Sequence, residues 1–203
     1  MNQSTRLSKH PLEDSGSAAT VRLLNQQLAD TLDLRSQARQ SYFNVRGSYS
    51  QELRLLFDGL ARDLRQVADL VAERITDVGG YAIATVRSVA DESGLRHYPT
   101  DVLDAHDQLE ALLSSYSRYE LDTQHNMKAA REIGDSETAA LLQVIGVSIE
   151  NNLWFLEAYL EGIAVGLHGR KLPTWSSAFN DQFADERAKS VTSSGERPRR
   201  AAD

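Results

Sequence analysis

The sequence predicts an all-α protein, a four-helix bundle with a short helix in the long crossover between its second and third helices. Apolar residues recur at spacings of three and four through most of the 203-residue chain, which is the period of helices with one buried face. Glycines end these periodic segments at Gly47, at Gly79 and Gly80, and at Gly134. Outside the helical segments, no alternating apolar and polar run is long enough to predict a strand.

The first helix is predicted from about Ala18 to Arg46, where the apolar residues form one stripe. Gly47 follows it and can adopt the left-handed conformation that commonly ends a helix. Ser48, with Gln51 three residues later, has the form of a capping box that begins the second helix. The stripe of the first helix comprises Val21, Leu24, Leu28, Thr31, Leu32, Ala38, Tyr42 and Val45.

The second helix is predicted to continue until Gly79 and Gly80 end it. Each of the first two helices has about 28 residues and would be about 40 Å long. Because the connection between them is very short, they must lie antiparallel. The inward positions of the second helix are Leu53, Leu56, Phe57, Leu60, Leu64, Val67, Val71 and Ile75.

A long crossover and two further helices complete the bundle. The segment 81–99 is irregular, but residues 85–94 are amphipathic enough for a short helix. A third helix is predicted over residues 101–133, and a fourth follows Asp135, a favourable N-cap residue. Tight first and last connections with a long middle one are the ferritin-like arrangement of a four-helix bundle.

These patterns divide the chain into one domain and two tails. Residues 1–17 are polar and aperiodic, which predicts a disordered or docked N-terminal tail. Residues 18–165 form the predicted bundle, and residues 166–203 form a C-terminal tail. The sequence has neither a run of about 18 apolar residues nor an apolar secretory segment, so we expect a cytoplasmic protein without a membrane partner.

Composition narrows the chemistry that the chain can perform. The absence of cysteine excludes disulfides, thiolate metal ligands and a cysteine nucleophile. The net charge of -7 argues against broad nucleic-acid affinity of the body of the protein. Any contact with DNA would therefore need a local basic segment.

The C-terminal tail contains such a segment. Arg197, Arg199 and Arg200 lie close together and predict a weak DNA-contacting arm. The alternative is a solvated terminus whose Trp175 and Phe179 dock on a neighbouring surface.

Three carboxylates lie on one side of the predicted second helix. Asp58 and Asp69 are about three turns apart, and Asp69 and Glu73 are one turn apart. Oxygen ligands at this spacing suit iron, manganese or magnesium better than zinc. The alternative is a ladder of surface ion pairs, because Arg54, Asp58 and Arg62 follow each other at four-residue steps.

Five fragments, taken in order, carry a recognisable pattern. They are QSYFNVRG (40–47), LRLLFDGL (53–60), DLVAERITDVGG (69–80), DSETAALL (135–142) and NNLWFLEAYLEG (151–162). Together they resemble the Dps family, the dodecameric mini-ferritins named for DNA-binding protein from starved cells. The resemblance extends over about residues 23–162, and its spacing has no gaps through the first two helices.

The resemblance implies a homo-dodecameric shell, cytoplasmic or associated with the nucleoid, that protects against oxidative stress. Such shells oxidise ferrous iron with peroxide or oxygen at diiron ferroxidase sites between subunits, and store ferric iron as a mineral core. In the family, two histidines and the first aspartate of each site come from one subunit and a D-x-x-x-E pair from another. Asp58, Asp69 and Glu73 match the acidic ligands in this sequence.

The family's histidine positions are occupied by other residues. Tyr42 stands at the first, Arg54 at the second, and Phe43 replaces the usual tryptophan. Arg54 stays protonated and has no lone pair, so it cannot ligate a metal, and we expect it to turn toward Asp58 or Glu52. Tyr42 either ligates ferric iron after losing its phenol proton or is a core aromatic residue.

The resemblance therefore predicts an altered ferroxidase site. Its metal ligands and catalytic residues would be Tyr42, Asp58, Asp69 and Glu73, with Tyr49, Arg54 and Phe43 around them. The alternative hypothesis is a catalytically silent Dps-like shell with a structural or nucleoid-associated role.

Two acidic residues precede and begin the fourth helix. Asp135 and Glu137 match the acidic start of the family's fourth helix, where the resemblance implies a three-fold pore that admits iron. Ordinary N-terminal capping also explains them, because negative charge favours the positive end of a helix dipole. Both roles can hold together.

Overall fold

Four long helices and one short helix make up the computed structural model, which describes residues 14–47 and 49–164. Within these two ranges no strand is present. This arrangement confirms the predicted all-α four-helix bundle with a short helix in its crossover. The helices are α1 (Asp14–Asn44), α2 (Ser50–Asp77), α3 (Val86–Glu92), α4 (Ala105–Ile133) and α5 (Ser136–Ala164).

The long helices pack as two hairpins, α1 with α2 and α4 with α5, and α1 also packs on α4. Tyr119 is fully buried at the contact between α1 and α4, where its hydroxyl lies 2.6 Å from that of Thr31. One turn away, the Gln27 amide donates to the Thr123 hydroxyl at 2.8 Å. These hydrogen bonds satisfy buried polar groups between the two helices and help to fix their register.

Two glycines take the left-handed backbone conformation at the hairpin turns. Gly47 has φ +102° and Gly134 has φ +85°, as predicted for residues that end helices. The predicted capping box rests on Ser48, which lies outside the described residues. Tyr49 immediately precedes α2, and its side chain makes no capping hydrogen bond.

Two helices begin at positions that differ from the predicted ones. α1 begins at Asp14, so the end of the predicted N-terminal tail is helical. The Ser17 hydroxyl donates to the carbonyl of Val78 at 2.8 Å, which ties this first turn to the end of α2. α4 begins only at Ala105, because the Asp104 carboxylate accepts a hydrogen bond from a backbone N–H of its first turn at 2.8 Å.

Polar side chains of α1 hold the crossover against the bundle. The Asn25 side chain accepts the N–H of Ile83 at 2.9 Å and donates to the carbonyl of Tyr81 at 3.1 Å. Asp30 accepts the N–H of Gly94 at 2.7 Å. Since α3 buries none of its own residues, these hydrogen bonds contribute much of what holds the crossover in place.

α5 is apolar enough, by length and composition alone, to cross a membrane. Its span Ser136–Ile163 has a window of mean hydropathy 1.3. Half of that window is buried inside the bundle, as expected for a core helix that packs against α4.

Candidate metal centre

The three carboxylates predicted as ligands lie along the outward face of α2. Asp58 is partly buried, with 39% of its side chain exposed, whereas Asp69 and Glu73 are exposed. Phe57 and Leu60, on the opposite face, are fully buried in the core. The helical period therefore presents all three carboxylates to the same side, as predicted.

Two guanidinium groups hold Asp58. Arg39 of α1 donates from Nη1 to Oδ1 of Asp58 at 2.9 Å. From α2 itself, Arg62 Nε lies 3.3 Å from Oδ2, which is one of the one-turn pairs of the ion-pair ladder. Both carboxylate oxygens of Asp58 thus have a cationic partner within the same subunit.

The guanidinium group of Arg39 also lies on two aromatic rings. Its Cζ is 4.4 Å from the ring centre of Tyr42 and 4.7 Å from that of Phe43, within the range of cation–π attraction. The two rings meet edge to face with their centres 5.5 Å apart. Arg39 therefore contacts both Tyr42 and Asp58, the two ligands predicted to come from one subunit.

Arg54 lies in a different place from the one we expected. Its Cζ is 5.9 Å from the ring centre of Tyr42, while the ion pairs to Asp58 are made by Arg39 and Arg62. A third guanidinium group is therefore close to the predicted ligand positions.

These residues do not fit a diiron centre. A guanidinium group has no lone pair to give a metal, and three such groups surround Tyr42 and Asp58. A divalent ion about 4 Å from one guanidinium group would be repelled by on the order of 8 kcal/mol at an effective dielectric near 20. The side chains that this subunit contributes therefore favour an ion pair with a cationic side chain over a bound metal ion.

Tyr49, which was predicted to add a further ring to the site, lies at the start of α2. It is partly buried and packs against the hydrophobic core. Phe43, in contrast, leaves 62% of its surface exposed. Of these two aromatic residues, Phe43 is the one available to a surface contact.

At the other end of α2, Arg74 joins that helix to the start of α5. Its guanidinium group donates to the Asp135 carboxylate at 2.8 Å and to the Thr138 hydroxyl at 3.0 Å, and it also pairs with Glu137. Asp135 in turn accepts the N–H of Thr138 at 2.9 Å, which confirms it as the N-cap of α5. The contact fixes the two hairpins to each other.

The surroundings of Asp135 determine its charge. Burial acts to raise the pKa of Asp135, but hydrogen bonds from Thr138 and the charge of Arg74 outweigh burial and lower that pKa below its usual value. Asp135 is buried, whereas Glu137 is exposed and is the one that offers a carboxylate to solvent. The pore role of both residues stays a prediction.

A separate group of candidate ligands lies at the start of α4. His106 Nδ1 is 3.7 Å from Asp107 Oδ1 and 3.9 Å from Glu110 Oε2. Asp107 and Glu110 are exposed, and exposed groups of this kind are common without a metal. None of the three belongs to the predicted diiron site.

Comparison with known proteins shows which family this arrangement represents. The profile of the Ferritin family, described as a ferritin-like domain, matches residues 21–164, from α1 to α5. A DNA protection during starvation protein from Agrobacterium fabrum is 29% identical over 157 residues, which span 77% of this chain and 97% of that protein. The chain belongs to the Dps branch of the ferritin-like family.

Solved Dps structures share the fold of the chain. Dps from Bacillus brevis has a TM-score of 0.69 at 26% identity, covering 73% of this chain and 99% of that one. Dps from Vibrio cholerae O1, described as one of the ferritin-like diiron-carboxylate proteins, has a TM-score of 0.70 and covers 77% and 99%. At 23% identity the second likeness shows the fold alone. The chain in which arginine residues surround Asp58 therefore has the Dps fold.

Sequence reasoning missed two residues that organise this Dps chain. Arg39 was not considered, although an antiparallel hairpin that turns near Gly47 brings it close to Asp58. Arg74 was seen only as part of a motif, and its contact with Asp135 depends on how the two hairpins pack. The predicted DNA-contacting arginines, Arg197, Arg199 and Arg200, lie outside the described residues, as do Trp175 and Phe179.

Proposed function

We propose that this Dps chain assembles into a dodecameric shell that protects the cell without a rapid ferroxidase centre. The observation that carries the proposal is the contact of the Arg39 guanidinium group with Asp58 at 2.9 Å. That contact places a positively charged side chain against the carboxylate that a metal ion would have to reach. The role is then structural, in the cytoplasm or in association with the nucleoid.

Electrostatics supports this proposal. Asp58 supplies one negative charge, and Arg39 and Arg62 supply two positive charges within 3.3 Å of it. Arg54 adds a third positive charge beside Tyr42. Ferrous iron is a divalent cation, so it would have to displace or approach these groups to reach Asp58.

A second candidate function is slow ferroxidase activity with a ferric mineral core inside the shell. It would use Tyr42, Asp58, Asp69 and Glu73, with peroxide or oxygen as oxidant. What favours it is the exposure of Asp69 and Glu73, one turn apart on the face of α2 that also carries Asp58. Carboxylates are suitable ligands for iron, and a phenol near ferric iron can lose its proton.

Ferrous-iron oxidation, followed by the absorbance of the ferric product, separates the two candidates. The variants are Asp69→Ala and Glu73→Ala, with Glu132→Ala on α4 as a matched exposed control. We expect the wild type to oxidise iron no faster than buffer does. Oxidation by the wild type that is faster than in buffer, that both α2 variants abolish and that the control keeps, would overturn the proposal in favour of the second candidate.

Association with DNA is proposed through the C-terminal tail. The support is the group Arg197, Arg199 and Arg200 in a chain whose net charge is otherwise negative. Gel retardation across a salt series should weaken when residues 185–203 are removed. A shift that is unchanged by this deletion would exclude the tail as the DNA-contacting segment.

A further inference from the structure

The core of the α4–α5 hairpin contains a fully buried asparagine. Asn152 lies on the inward face of α5 between Ile149 and Leu156, which are both fully buried apolar residues. Neither the oxygen nor the nitrogen of its carboxamide has a hydrogen-bond partner among the described residues. A carboxamide offers one acceptor atom and two N–H donors, so burying it without partners costs free energy.

A second polar group without a partner lies at the same height on α4. Tyr116 is fully buried, and its hydroxyl finds no hydrogen-bond partner in the part of the chain that the structure describes. Tyr116 and Asn152 are equally far along the chain from Gly134, where the hairpin turns. Because the two helices are antiparallel and both side chains lie on buried faces, these polar groups meet at one level of the core.

The carboxylate of Asp63 approaches this level from α2. Asp63 is buried, with only 3% of its surface exposed. Burial raises the pKa of Tyr116 well above its usual value, and the negative charge of Asp63 raises that pKa further. Asp63 is therefore close enough to act on Tyr116, and the phenol stays protonated as a hydrogen-bond donor.

On the α1–α4 side of the core, polar groups pair directly with one another. Tyr119, one turn from Tyr116, has its hydroxyl 2.6 Å from that of Thr31. The Gln27 amide donates to the Thr123 hydroxyl at 2.8 Å. Two tyrosines of one helix are thus equally buried, but only the hydroxyl of Tyr119 is satisfied by the described protein groups.

We propose that the core between α2, α4 and α5 contains an internal hydration site, at which ordered water bridges the Tyr116 hydroxyl and the Asn152 carboxamide. Buried water typically makes about three hydrogen bonds to polar groups that the protein leaves unpaired. Water can accept from the Tyr116 hydroxyl and from the Asn152 amide N–H groups, and it can donate to the amide oxygen. The negative charge of Asp63 favours a water proton that points toward α2.

The chemistry of these groups suits water better than a metal ion. Tyr116 is protonated and Asn152 is neutral, so Asp63 is the one charged group of the three. A divalent ion such as calcium takes about six or more oxygen ligands, several of them from carboxylates. The hydration site concerns a single subunit, so it is independent of the proposed shell and of the carboxylates on the outward face of α2.

High-resolution crystal structures of the full-length chain test the site directly. We expect density for water within hydrogen-bond distance of both the Tyr116 hydroxyl and the Asn152 carboxamide in the wild type. Asn152→Leu should lose that density, whereas Asn151→Leu, at the neighbouring half-buried position, should keep it. A wild type without water at this level, or an anomalous peak there after a manganese(II) soak, would overturn the proposal.

Denaturant unfolding gives a second readout, in which the sign of the effect is decisive. Tyr116→Phe removes a hydrogen bond to the proposed water, so we expect it to raise the equilibrium constant of unfolding about fivefold. Tyr119→Phe, which loses the direct contact with Thr31, is the matched control and should raise that constant by a similar factor. A constant that Tyr116→Phe lowers or leaves unchanged would mean that the hydroxyl is buried without a partner, which contradicts the hydration site.

Discussion

Each end of α2 holds an arginine–aspartate pair, and the two pairs differ in burial. Arg74 and Asp135 leave 15% and 2% of their side chains exposed, whereas Arg39 and Asp58 leave 34% and 39% exposed. The first pair joins two helices inside the bundle and also caps α5. The second lies on an outward face. Removing one partner should therefore cost more at the buried pair, where water cannot solvate the remaining charge, than at the exposed pair.

Arg74→Ala should have the largest effect on stability. Removing one partner of a buried ion pair leaves the Asp135 carboxylate without its cation, and we expect the free energy of unfolding to fall by roughly 3 kcal/mol. Denaturant unfolding measures this, with Arg62→Ala at the exposed Arg62–Asp58 pair as control, expected to change by less than about 1 kcal/mol. Equal losses in the free energy of unfolding for the two variants would show that burial does not distinguish these ion pairs.

The same pair predicts a dependence on acid. Because the folded-state pKa of Asp135 is lowered, its contribution is fully present above the unfolded value of 3.8 and is lost as the pH falls through the lower folded value. Unfolding measured from pH 5 downward should therefore show a smaller acid-dependent loss in Asp135→Asn than in the wild type. Identical slopes would show that Asp135 gains nothing from its partners.

Arg39→Ala should have a smaller effect on stability and a distinct effect on metal binding. The pair is partly exposed, so we expect a loss of about 1 kcal/mol in unfolding, including the lost contact with the Tyr42 ring. Isothermal titration with cobalt(II) should detect a gain of about tenfold in affinity over the wild type. Equal cobalt(II) affinities of the variant and the wild type would mean that Arg39 does not keep cations away from Asp58.

Asp30→Asn should have the smallest effect on stability, and it tests how a buried aspartate behaves without a guanidinium partner. Asp30 is buried like Asp135 but has no guanidinium partner among its described contacts, and burial raises its pKa despite the hydrogen bonds from Gly94, Gln26 and Ser93. In the wild type, stability should rise as the pH falls from neutral through this raised pKa, because the folded chain takes up the proton first. The amide variant should lack that rise when urea unfolding is measured over the same pH range.

The helical elements could be predicted from the sequence because they depend on local patterns. The apolar period predicted α2, and its inward residues Val67, Val71 and Ile75 are all fully buried. The glycine pattern predicted the turn at Gly134. The start of α4 was less predictable: the sequence pattern placed it near residue 101, whereas Asp104 caps a helix that begins at Ala105. The ends of helices are less well determined by local sequence than their interiors.

The candidate site was only half predictable for a different reason. Asp58, Asp69 and Glu73 follow from the helical period, so their common face was expected. The partner of Asp58 comes from α1, and Arg39 reaches it through the packing of two helices that a single-helix ladder does not describe. Because of this packing, the candidate ligand Asp58 forms an ion pair with Arg39.

A crystal soaked anaerobically in ferrous iron, with anomalous scattering recorded at the iron edge, tests the central claim most directly. The account predicts no anomalous peak between Tyr42 and Asp58, with the Arg39 guanidinium group still on the Asp58 carboxylate. An iron peak within bonding distance of Asp58, with Arg39 displaced, would contradict it.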